Sequence, residues 1–197
     1  MFIYDREHSA HIFMTPHMRG LLQNSSNWFI DATFKISPRF VYQVLVIGVK
    51  KQTFFIGALV LMTGRPESFY KKTFDEIKNC VGSTRKIMCD YEVELRTSLR
   101  QVFNSIVNGC FDHFANSIIK KVRSLGLANT YSNDNIFQDF VLKCIALALL
   151  PQNSIYGAFN AFRNNRMFQL NLNYEAFRTN FEHYWFETQT PHNFCIF

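Results

Sequence analysis

The sequence predicts a mixed α/β fold: a mixed sheet with flanking helices, followed by an all-helical C-terminal extension. Three observations predict it. Residues 28–36, 41–49 and 54–62 are short runs rich in aromatic and β-branched side chains, the mark of strands. From Gly64 onward apolar residues recur at helical spacing, broken only by short extended stretches at 85–90 and 106–113. Beyond Asn133 helical spacing alone remains. Strands that alternate with helices after an antiparallel start make a mixed sheet.

The elements follow in order. Residues 1–5 and 10–14 suggest a short N-terminal hairpin. In the run Trp28-Phe-Ile-Asp-Ala-Thr-Phe-Lys-Ile, alternation puts Phe29, Asp31, Thr33 and Lys35 on one face. Trp28, Ile30, Ala32, Phe34 and Ile36 take the other. The runs 41–49 and 54–62, joined by Lys50-Lys51-Gln52, read as a hairpin whose near-continuous hydrophobicity implies cover on both faces. Gly64-Arg-Pro-Glu opens a helix with the stripe Tyr70, Phe74, Ile77 and Val81. Residues 85–90 form a strand ending on an acid. A second helix turns Leu95, Leu99, Val102 and Phe103 inward. Ile106 to His113 reads as extended. Phe114, Ile118, Val122 and Leu125 mark a third helix closed at Gly126. Three further stripes follow: Phe137, Phe140, Val141 and Cys144; Ile155, Phe159 and Phe162; Tyr174, Phe177, Phe181 and Trp185.

Composition bounds the function. The chain has 197 residues, 48% apolar and 18% charged, which suits a globular domain that needs no disulfide or metal to fold. No run of about 18 uncharged apolar residues is present, so a membrane helix is not expected. The early acids in Met1-Phe-Ile-Tyr-Asp-Arg-Glu argue against a secretory signal. Five scattered cysteines, none in a C-x-x-C, suit a reducing compartment. The net charge of +6 permits a nucleic-acid partner without demanding one. The 22 Phe residues fall mostly at helical spacings, the mark of core more than of a stacking platform.

Two aspartates stand out. Asp31 lies mid-strand and Asp90 ends the fourth main strand, although Asp disfavours strands and an unpaired buried carboxylate is costly. In a mixed sheet of this order the first and fourth strands can lie side by side. The two carboxylates then converge at one edge of the sheet. Converging carboxylates repel unless a cation lies between them, and hard oxygen ligands suit Mg²⁺ or Mn²⁺. Either acid alone reads more simply as a strand-end cap or an ion-pair partner.

Around these acids the sequence resembles the transposase domain of Mutator-like elements, the MULE domain. Trp28-Phe-Ile-Asp-Ala-Thr-Phe-Lys-Ile-Ser-Pro is similar to that family's W-x-x-D-G-T-F-K-x-x-P, and Phe40-Val-Tyr-Gln-Val-Leu-Val-Ile follows in register. Met88-Cys-Asp-Tyr-Glu is similar to x-x-D-F-E, and Gly109-Cys-Phe-Asp-His to G-C-x-x-H. The resemblance continues through Lys120-Lys-Val-Arg-Ser-Leu-Gly-Leu and spans nearly the whole chain as one domain. It implies an RNase H-like part over 1–125 and a helical insertion over 126–197. It implies a DDE-type site that binds Mg²⁺ or Mn²⁺ and cuts and joins DNA, with Asp31 and Asp90 as the first two acids and metal ligands. Glu92 matches a supporting acid, and Cys110 and His113 the C-x-x-H. Ala32 replaces the usual Gly, and Asn116 a frequent Gln.

The third acid of the family lies in a T-N-N-x-x-E segment, and no such segment occurs here. Glu182 in Arg178-Thr-Asn-Phe-Glu-His fits only superficially. Phe181-Glu-His-Tyr-Trp and Pro191-His-Asn-Phe-Cys-Ile-Phe197 instead resemble the stretch just before the T-N-N-x-x-E, so the chain is expected to stop short of the third acid. The resemblance therefore implies a truncated transposase catalytic domain, inactive or nearly so. The alternative is a non-catalytic, transposon-derived DNA-binding or protein-interaction domain. The resemblance is not expected to extend to the family's zinc-finger module. DNA is the implied partner, with no membrane and with room for a homo-oligomer, and a nuclear (or cytoplasmic) location is expected in place of secretion.

Lesser signals remain. Cys110 and His113 have half a zinc-site spacing, and His183, His192 and Cys195 are loosely placed as partners. A packed thiol and a hydrogen-bonded imidazole are the simpler reading. The pairs Lys50-Lys51, Lys71-Lys72 and Lys120-Lys121, with Arg123, could meet phosphates, but a solvated face is simpler. No Gly-rich phosphate loop and no nucleophile motif are present.

Overall fold

A computed structural model describes residues 1–33, 37–163 and 172–196. The chain is α/β and divides into two compact units, Met1–Val107 and Asn108–Phe197. The helix over 111–124 lies in the second unit.

The sheet has seven strands: β1 (Phe2–Tyr4), β2 (Ser9–Phe13), β3 (Asn27–Thr33), β4 (Gln43–Lys50), β5 (Phe54–Met62), β6 (Lys86–Cys89) and β7 (Ile106–Gly109). Their order is β1-β2-β5-β4-β3-β6-β7. The pairs from β1 through β5 to β3 are antiparallel, and β3 pairs with β6 in parallel. The sheet is therefore mixed, as the strand and helix order predicts. Residues 34–36 of the expected first main strand lie outside the described residues.

Three helices of the first unit cover one sheet face: α1 (Pro16–Gln23), α2 (Glu67–Val81) and α3 (Val93–Phe103). The apolar stripe of α2 buries Tyr70, Phe74, Ile77 and Val81, and α3 buries Leu95, Leu99, Val102 and Phe103, as their spacing predicts. They pack on Trp28, Ile30, Leu45, Ile47, Val49, Ala58, Val60 and Ile87. The Trp28 indole N–H donates to the Leu22 carbonyl of α1 (3.1 Å), which satisfies its one polar atom inside the core.

The opposite face corrects an expectation. Continuous hydrophobicity in β4 and β5 implied cover on both sides. Instead Val46, Leu59 and Leu61 are half-buried, and Phe2, Phe13 and Phe54 are exposed. This outer face carries Phe29 and Asp31, as the alternation of β3 predicts.

The second unit is helical after Gly109: α4 (Phe111–Ser124), α5 (Ala128–Asn133), α6 (Asn135–Ala146), α7 (Gln152–Arg163), α8 (Leu172–Phe181) and α9 (Pro191–Phe194), with a π-helical turn over Glu182–Thr188. Residues 111–113, expected to be extended, form the first turn of α4. Gly126 has φ 73°, and Leu127 N–H donates to Val122 O (3.0 Å), so a residue free to adopt that backbone closes α4 where the sequence places it. The core here is aromatic: Phe114 stacks on Phe194 (4.9 Å) and meets the edge of Trp185 (4.5 Å).

Candidate functional site

The geometry of Asp31 and Asp90 follows from one register. In the parallel pair, Asn27 lies opposite Lys86, Trp28 opposite Ile87 and Phe29 opposite Met88. The pairing ends there; Asp31 lies two residues beyond it on β3, and Asp90 lies two residues beyond it, just past the end of β6. Asp31 is on the exposed outer face, opposite Val46 of β4. Asp90 follows the last residue of β6, and its Oδ1 accepts from the Tyr91 amide (2.6 Å). The side-by-side placement that the strand order allowed is thus present, and it sets the two acids at one end of the β3–β6 pair.

Behind Asp90 the chain buries a cation. Arg96 is 3% exposed, donates from Nη2 to Val107 O (3.2 Å) and lies over the Tyr91 ring (5.2 Å). Burial pushes its pKa down, while the neighbouring Cys89, Tyr91 and Asp90 favour its charge. Its sequence position, between Leu95 and Leu99 on the inward stripe of α3, was the available signal: a charge on a core face needs a partner.

Glu92 points inward. The buried Gln43 amide donates to Tyr70 Oη (2.7 Å), and Tyr70 Oη donates to both Glu92 carboxylate oxygens (3.4 Å each). Arg65 meets Glu92 from outside (3.6 Å). Burial raises the Glu92 pKa, with Glu94 and Asp90 adding to the rise and Arg65 opposing it. Burial likewise raises the Tyr70 hydroxyl. Glu92 is therefore tied into a partly buried network with Gln43, Tyr70 and Arg65. Gln43 and Tyr70 were not singled out in the sequence. Gln43 was detectable as the one polar side chain inside the β4 run, while the stripe of α2 disclosed the Tyr70 ring without its hydroxyl's partners.

Cys110 and His113 lie in the second unit. Cys110 is the N-cap residue of α4, and His113 sits one turn in. A hydrogen bond with His113 holds the Cys110 thiol below its usual pKa against the effect of burial. The Asp112 and His113 backbone amides add to this lowering. The loosely placed partners have other contacts. His183 meets Glu187 (2.8 Å), His192 meets Gln152 (3.4 Å) and Cys195 donates to Leu150 O (3.3 Å). Glu182 is paired with Arg163 (3.4 Å) and Arg178 (3.9 Å) inside the second unit. Among the described residues no group of three or more His, Cys, Asp or Glu is placed to hold a metal ion. No helix among them is long and apolar enough to cross a membrane.

Comparison with family models and with curated proteins finds no match to this chain.

Proposed function

We propose that the strand-bearing unit is an RNase H-like, DNA-handling domain of the Mutator-like transposase kind, in which Asp31 and Asp90 hold a divalent cation against a DNA phosphate. The observation that carries this reading is the parallel pairing of β3 with β6, with Asp31 two residues beyond the last paired residue of β3 and Asp90 two beyond that of β6. The donors fit a hard cation. Mg²⁺ commonly takes one or two protein carboxylates and fills its remaining positions with water and phosphate oxygens. When bound, such an ion neutralises phosphate charge and acidifies a bound water. The chain's own residues supply the rest. Asp31 is exposed on the outer face, and the Tyr91 amide donates to Asp90 Oδ1. Buried Arg96 offsets the charge of the acidic turn.

With no group of three or more His, Cys, Asp or Glu among the described residues placed to hold a metal ion, the chain is expected to bind DNA and cation but to cut poorly or not at all. The same observation favours the second reading, a transposon-derived binding domain that keeps the fold without the chemistry. A supercoiled-plasmid nicking assay in Mn²⁺ separates them. The expected result is nicking at background, equal for wild type and Asp31→Asn. Clear nicking that disappears in Asp31→Asn would overturn the inactive reading and establish a working site.

A further inference from the structure

Three lysines from two segments meet on the outer face of the sheet, and the sequence singled out only two of them. Lys50 ends β4, Lys51 begins the turn after it, and Lys86 begins β6. The register explains the meeting. Asn27 pairs with Lys86, and the β3–β4 register that sets Phe29 opposite Gly48, continued by two residues, sets Asn27 opposite Lys50. Together with Asn27, Trp28, Phe29 and Met88 they line a pocket of about 420 Å³ that has no acidic residue in its wall.

Four other lysines are engaged within the fold. Lys71 and Lys143 are ion-paired with Glu67 and Asp139, and Lys72 and Lys78 donate to backbone carbonyls. Among the described residues Lys50, Lys51 and Lys86 make no ion pair. Like charges gathered without an anion repel, and a polyanion relieves this by releasing its own counterions. The pocket floor is also suited to nucleic acid: Phe29 and Met88 are half-buried and present a ring and a thioether to the outer face.

The placement along the strands gives direction. On successive outward rungs the face reads Lys50, Asn27 and Lys86; then Gly48, Phe29 and Met88; then Val46 and Asp31. From Asn27 to Asp31 is four residues, or about 13 Å along the strand. We propose that Lys50, Lys51 and Lys86 anchor the phosphate backbone of a DNA strand that runs along the outer face of β3 past Phe29 to Asp31 and Asp90. This rests on the reading of the acids as a DNA-handling site, and it adds where the strand is gripped.

The test is salt-dependent binding of fluorescein-labelled duplex and single-stranded DNA to the full chain, read by anisotropy in EDTA so that no cation bridges the acids. Each lost phosphate contact lowers the slope of log K against log salt by about 0.9 for a duplex, so Lys50→Ala/Lys51→Ala/Lys86→Ala is expected to lower it by about 2.7. Lys50→Arg/Lys51→Arg/Lys86→Arg keeps the wild-type slope, and Lys71→Ala/Lys72→Ala leaves it nearly unchanged. A circular dichroism melt checks that each variant is folded. If wild type and the alanine triple variant share one slope, the anchor is wrong while the reading of the acids stands. If wild type binds no DNA, both fall. Lysine-dependent binding of tripolyphosphate in that case would reassign the pocket to a small polyphosphate, also against the proposal.

Discussion

Asp134 accepts hydrogen bonds from the amides of Ile136 (2.9 Å) and Phe137 (3.1 Å) as the N-cap of α6, and its other oxygen accepts from the Tyr174 hydroxyl of α8. The Tyr174 bond is the main reason its pKa lies below the ordinary 3.8, with the two amides adding to it. The Tyr174 hydroxyl is pushed up to about 12 by burial and by Asp134. A carboxylate depressed in the folded state stabilises it at any pH above the unfolded value, and that stability is lost as pH falls through the folded value. Asp134→Ala is therefore expected to cost about 1–2 kcal/mol at pH 7, and less below about pH 4, as read by thermal melts at both pH values. The cap was legible in Ser132-Asn-Asp-Asn-Ile-Phe, since Asp before an apolar helical run is a start signal. The bond to Tyr174 was not, because forty residues and a tertiary fold lie between the partners. Gln43, Tyr70 and Glu92 repeat the lesson. Each residue type could be read, but a network spread over β4, α2 and the start of α3 exists only once those elements are packed.

The β4–β5 hairpin shows which element-scale features a sequence carries. Its two apolar runs and polar turn predicted both strands, but not the register shift between Ile47 and Gly48. At Gly48 an added Cβ would lie 2.3 Å from the Phe54 ring and 2.7 Å from the Phe55 carbonyl oxygen. The missing side chain thus lets Phe54 lean across β4 toward Phe29, whose ring lies 6.3 Å away. Gly48→Ala is expected to destabilise by about 1–3 kcal/mol in urea denaturation, because the backbone carbonyl cannot yield as a side chain can. Gly157, in the exposed middle of α7, has nothing within 4 Å of such a Cβ, so Gly157→Ala is expected to stabilise by about 1 kcal/mol in the same experiment. Helix α1 was not anticipated, although its signals were local. Thr15 accepts from Met18 N–H (3.2 Å) at the N-cap, and Pro16 occupies the first turn. At only 8 residues it is too short for periodicity to reveal. Residues 111–113 differ from their extended reading as the first turn of α4, whose N-cap Cys110 makes no side-chain cap bond.

At the scale of the molecule, the +6 charge is not spread evenly in its availability. Much of it is paired within helices or turned to carbonyls, while Lys50, Lys51 and Lys86 stand together on one sheet face. The same face carries Asp31. Basic pairs and lone acids read from the sequence were each weak signals, because a solvated face or a strand-end cap explains them separately. The parallel pairing of β3 with β6 joins them, and it cannot be read from either strand, since 52 residues separate Thr33 from Lys86 in the chain. The central claim is that this pairing builds a cation site from Asp31 and Asp90. Mn²⁺ binding to the full chain, followed by the electron paramagnetic resonance signal of free Mn²⁺, tests it most directly. The account predicts a bound ion in the wild type that is lost in Asp31→Asn and equally in Asp90→Asn. Binding that is the same in all three proteins, or absent from the wild type, would contradict it.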